Sequence, residues 1–130
     1  MTQRVKDIML RDTITVQGLT KVSEIMEIFK KKQTELQTVL VKPRNDEDVY
    51  GLVTLRDIAR KVIALGKKSD EVHAYEIMSK PVLTVNANMS VMYAARFLTN
   101  FDISRAIVME NDKLVGIISL NHIVLKCKLD

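Results

Sequence analysis

The chain of 130 residues contains no tryptophan, three phenylalanines and three tyrosines, so aromatic residues make up only 5% of it. Its core must therefore be built from Val, Ile, Leu and Met, by close interleaving of aliphatic side chains rather than by ring stacking. Cysteine occurs once, at Cys127, which excludes an internal disulfide and fits a reducing compartment. Four glycines and two prolines are too few for a fibrous repeat or a flexible low-complexity linker. No apolar run approaches the roughly 20 residues of a membrane-spanning helix. The opening MTQRVKDIML soon turns charged and lacks a signal-peptide core, so the expected location is the cytoplasm.

Reactive side chains are scarce as well. The only histidines are His73 and His122. His122 and Cys127 are five residues apart, roughly 500° around a helix, so they cannot meet as base and nucleophile on one face. Metal-ligand spacings, a phosphate-binding loop and a dinucleotide fingerprint are all missing. The sequence thus predicts neither catalytic residues nor a metal site.

Apolar residues make up 47% and charged residues 28%, the balance of an ordered globular protein. The net charge is +4 and the pI about 9.2. Lys30, Lys31 and Lys32 form a short basic run that reads as a solvated helix end. A nucleic-acid surface is the weaker alternative, because no aromatics interleave with the lysines.

One unit is written twice. Asp7-Ile8-Met9 returns 69 residues later as Glu76-Ile77-Met78, and Thr13-Ile14-Thr15-Val16 as Val82-Leu83-Thr84-Val85. The helical stripe Val22, Ile25, Met26, Phe29 returns at the same offset as Val91, Ala94, Ala95, Leu98. Val39-Leu40-Val41 then matches Ala106-Ile107-Val108, and Gly51-Leu52-Val53-Thr54 matches Gly116-Ile117-Ile118-Ser119. The polar turns between these runs mark hairpins, and an apolar helix follows each, with Ile58, Val62 and Ile63 in one and Ile123 and Val124 in the other. The order is strand–helix–strand–strand–helix, twice. Repeat 1 is expected over 1–65, a polar linker over 66–75 and repeat 2 over 76–130. Each is so small that the two should pack together.

Three features give the chain a resemblance to the CBS domain family, named after cystathionine β-synthase, whose tandem pairs are called Bateman modules. They are the D/E-I-M lead-in, the order of elements, and the segment Gly-h-x-Thr/Ser-x-x-Asp. That segment is Gly51 to Asp57 in repeat 1 and Gly116 to His122 in repeat 2. The resemblance implies an α/β fold (α+β type) of two β-α-β-β-α repeats packed as a pseudo-symmetric pair. It also implies a cleft that holds an adenosine-containing ligand: AMP, ADP, ATP or S-adenosylmethionine. In the family the aspartate accepts from the ribose hydroxyls and the Thr or Ser lies near phosphate. An ionised carboxylate, with two acceptor oxygens, suits a cis-diol. The implied first site is Thr54 and Asp57, with Lys80, Pro81 and Val82 on the adenine side and Arg105 for phosphate. The second would bring Ser119 and His122 to Thr13 and Ile14.

Thr54-x-x-Asp57 is also a helix-capping box, and the two roles can coexist. Repeat 2 departs from the pattern, because a neutral imidazole cannot accept from two hydroxyls and a protonated one accepts from neither. His122 is expected on the helix surface, with contact to a phosphate as the alternative. The resulting expectation is a non-catalytic regulatory module that binds an adenine nucleotide, forms a homodimer and signals to an effector protein. The rival is a scaffold or dimerisation module without ligand.

Overall fold

Val39, Leu40 and Val41 are a continuous apolar run, and together with Thr38 they form a strand that is buried along its whole length. It is the centre of one of two three-stranded sheets in the computed structural model, which describes residues 3–32, 37–80 and 83–128. The fold is mixed α/β. The elements are α1 (Val5–Ile8), β1 (Thr15–Val16), α2 (Val22–Lys31), β2 (Thr38–Val41), β3 (Gly51–Thr54) and α3 (Leu55–Ile58), followed by a π-helical turn (Ala59–Ile63). Then come α4 (Ala74–Ile77), β4 (Thr84–Asn86), α5 (Val91–Asn100), β5 (Arg105–Glu110), β6 (Lys113–Ser119) and α6 (Leu120–Lys126).

In each sheet the first strand pairs parallel to the second and the second antiparallel to the third. The parallel pair needs a crossover, which α2 and α5 supply, and the antiparallel pair is the hairpin. The helical stripe buries Val22 and Ile25 in one core, and Val91, Ala94 and Leu98 in the other.

The two repeats are continuous in sequence, but the two compact units are not. One unit is 13–82; the other joins 1–12 to 83–130. Each unit thus takes its lead-in helix from the other repeat. Ala74 and Ile77 of α4 lie in the core built by β1–β3, and Val5, Ile8 and Met9 in the core built by β4–β6.

The D/E-I-M motif follows from that docking. Asp7 Oδ2 accepts from Arg4 N–H (2.9 Å) and Glu76 Oε2 from His73 N–H (2.7 Å), so each acid caps its own short helix. Ile8 and Ile77 are buried, a contribution of about 1.5–3 kcal/mol each. Each Met lies on the repeated glycine of the facing strand, Met78 on Gly51 and Met9 on Gly116. The chain then pairs with that strand, Leu10 with Ile117 and Ser79 with Leu52.

The stretch 66–75 is docked rather than loose. Val22 N–H, at the start of α2, donates to Val72 O (2.8 Å) and Ser23 N–H to Ser69 O (3.0 Å). These are two donors that α2 cannot satisfy itself. Val72 is buried in the same core.

Candidate functional site

Thr54 is both the last residue of β3 and the N-cap of α3. Its hydroxyl accepts from Asp57 N–H (3.2 Å), and Asp57 Oδ2 accepts from Thr54 N–H (2.9 Å) and from Thr54 Oγ1–H (3.1 Å). The capping reading of these two residues is therefore realised. Asp57 Oδ1 lies 3.5 Å from Lys61 Nζ, and that ammonium also donates to Ile77 O (2.9 Å). A carboxylate has about four acceptor positions, so Oδ1 keeps capacity for a hydroxyl. The side chain of Asp57 is 15% exposed. Lys61 was legible only as a cation four residues after Asp57. Its hold on the carbonyl of the lead-in helix had no sequence signal.

Lys80 is engaged elsewhere. Its ammonium donates to both oxygens of Asp48, each at 2.8 Å. The Leu52–Ser79 bridge is antiparallel, so from Ser79 the chain runs towards Gly51 and the hairpin, away from Thr54. Asp48 also accepts from Arg44 N–H (2.9 Å). That backbone bond, and then Lys80, hold its carboxyl well below the usual carboxylate range. Pro81 and Val82 lie outside the described residues.

The strand register sets Arg105 opposite Ser119, whereas the residue opposite Thr54 is Thr38. Arg105 Nη1 donates to Ser104 Oγ at 3.3 Å. Thr13 and Ile14 belong to the unit of Thr54 and Asp57, and Ile14 O accepts from Leu40 N–H (2.8 Å). Ser119 and His122 belong to the other unit.

One expectation is corrected. His122 is not a helix-surface residue but is 6% exposed. It sits in the first turn of α6, at the end of β6, and its N–H donates to Ser119 Oγ (3.0 Å). Its position thus matches that of Asp57, but an imidazole cannot return the carboxylate bond that Asp57 makes to Thr54 N–H. Among the described residues no group of three or more His, Cys, Asp or Glu could hold a metal ion. Among them, too, no helix is long and apolar enough to cross a membrane.

Residues 5–64 and 74–128 match the CBS domain family model. The chain belongs to the CBS domain family. An uncharacterised protein of Methanopyrus kandleri is 36% identical over 92% of this CBS chain, which spans 60% of that protein's length. The hexameric CBS-CP12 protein from bloom-forming cyanobacteria is 35% identical, with a TM-score of 0.88 over 98% of this chain and 73% of its own. The CBS domain pair of protein MJ0100, solved in complex with 5′-methylthioadenosine and S-adenosyl-L-methionine, is 27% identical. Its TM-score is 0.76 over 96% of this chain and 95% of its own.

Proposed function

We propose that this CBS pair is a non-catalytic regulatory module that binds an adenosine-containing ligand at the Thr54–Asp57 turn and passes its presence to a partner protein. The observation that carries the reading is the complex of the MJ0100 pair with two adenosine compounds. The Asp57 carboxylate adds to it: it is held in place by Thr54 and Lys61 while Oδ1 keeps acceptor capacity. The ligand class is AMP, ADP, ATP or S-adenosylmethionine, and the module acts in the cytoplasm. It works as a homodimer, for which Val124 and Leu125 of α6, 77% and 81% exposed, supply apolar contact surface.

A ligand-free scaffold is the second reading. It is favoured by His122, which occupies the place of the carboxylate in repeat 2. Calorimetry with adenosine, AMP, ATP and S-adenosylmethionine separates the two. The sensor reading expects at least one to bind, and its 2′-deoxy analogue to bind at least tenfold more weakly. Asp57→Ala should lose the same factor. Binding of none of the four leaves the scaffold, whereas equal binding of the deoxy compound overturns the assignment of the ribose to Asp57.

A further inference from the structure

A cavity of about 390 Å³ opens at the hairpin end of the unit 13–82, within the size range of small-molecule sites. Val41, Met78, Leu19 and Tyr75 form its apolar wall, and Lys42 and Arg44 its rim. It is not part of the Thr54–Asp57 turn. Val41 pairs with Gly51 at one end of β2, and Thr38 with Thr54 at the other. At about 3.4 Å per residue the two places are roughly 10 Å apart.

The wall is held firmly. Tyr75 is 50% exposed, yet its N–H donates to Gly18 O (3.0 Å) and its ring stacks on His73, with centroids 5.8 Å apart and planes within 16°. Leu19 is 74% exposed. An aromatic face and an aliphatic group are thus presented together beside an open volume. Met78 adds an adaptable thioether.

The charge at the rim is one-sided. Among the described residues no carboxylate lines the cavity; Asp48, beside it, is bound by Lys80 at 2.8 Å and approached by Arg44 Nε at 3.4 Å. Among the described residues Lys42 makes no ion pair. Asp46 and Glu47, in the same loop, do not line the cavity. Cationic donors over an aromatic and aliphatic wall suit a flat ring that carries an anionic group.

We infer that this cavity is a second ligand site, distinct from the adenosine site, for a small aromatic carboxylate or phosphate monoester. The ring lies against Tyr75 and Met78, and the anion is held by Lys42 and Arg44. The test is amide NMR of the whole chain titrated with 1-naphthyl phosphate, with uncharged 1-naphthol as control. Shifts are expected at Gly18, Val41, Lys42, Arg44 and Tyr75, not at Thr54 to Asp57. A Lys42→Ala, Arg44→Ala double variant should bind at least tenfold more weakly. It leaves intact the Arg44 backbone N–H that fixes Asp48. Asp57→Ala should bind like the parent, which separates this site from the adenosine site. The inference fails if the naphthyl phosphate shifts only the Thr54–Asp57 turn or nothing at all. It fails equally if naphthol binds as well as the phosphate, or if the double variant binds unchanged.

Discussion

Gly51 lies so close to Met78 that a methyl group on its Cα would stand 2.7 Å from Met78 Sδ. At Gly116 the same methyl would meet Leu10 O at 2.7 Å and Met9 Sδ at 2.9 Å. A thioether can swing aside, but a carbonyl whose residue is paired to Ile117 in both directions cannot. Both alanine variants should lose stability, by about 1–3 kcal/mol in the manner of an overpacked core. Gly116→Ala should lose more. Urea unfolding of the two variants beside the parent measures the difference.

The N-caps make a second, smaller test. Thr54→Ala and Ser119→Ala each remove an oxygen that accepts from the third residue of the following helix. Each should cost about 1 kcal/mol, and Thr54→Ser much less. Denaturant midpoints read this directly, and a Thr54→Ala variant as stable as the parent would refute the capping account.

Acid should destabilise the fold through Asp48 and Glu76. The backbone N–H of Arg44 and the ammonium of Lys80 depress the Asp48 pKa, and the backbone N–H of His73 depresses that of Glu76. In acid the unfolded chain therefore takes up protons that the folded chain refuses. Their stabilisation is complete above the ordinary carboxylate range near about pH 4 and is lost as pH falls through the lower folded values. An Asp48→Asn, Glu76→Gln variant should show a flatter decline in melting temperature on the acid side. A decline as steep as the parent's would count against it.

Cutting the chain by repeat and cutting it by compact unit should give different results. A fragment of 13–82 keeps Val72, Ala74 and Ile77 in the core with Val39 and Val53, whereas 1–65 loses all three. Cooperative unfolding is expected for 13–82 and not for 1–65 when both are followed by circular dichroism in urea. The opposite order would mean that the lead-in helix contributes little.

The repeat, the hairpins and the crossover helices were legible because apolar spacing reports which residues face a core. So was the Thr54–Asp57 cap, since that motif is local. The destination of the lead-in helices was not legible, because Ile8 and Ile77 show that a face is apolar but not which core receives it. His122 misled for a related reason: a polar side chain three residues into a helix looks like surface until its neighbours are placed. The Lys80–Asp48 pair joins the segment after α4 to the loop between β2 and β3, 32 residues apart in sequence, and no periodicity connects two such positions. Met9 and Met78 read as generic packing, and only the neighbouring glycines show why a long, unbranched side chain suits each place.

The exchange of lead-in helices also sets an order on synthesis. Residues 13–82 form a contiguous stretch that can close as soon as it has left the ribosome, and units generally fold as they emerge. The first twelve residues belong to the unit completed by residues 83–130. They are made before residues 13–82, yet the rest of their unit follows only after that stretch. Val5, Ile8 and Met9 therefore stay without their core until residues 83–130 have been made, and in that interval they are apolar groups a holdase could cover.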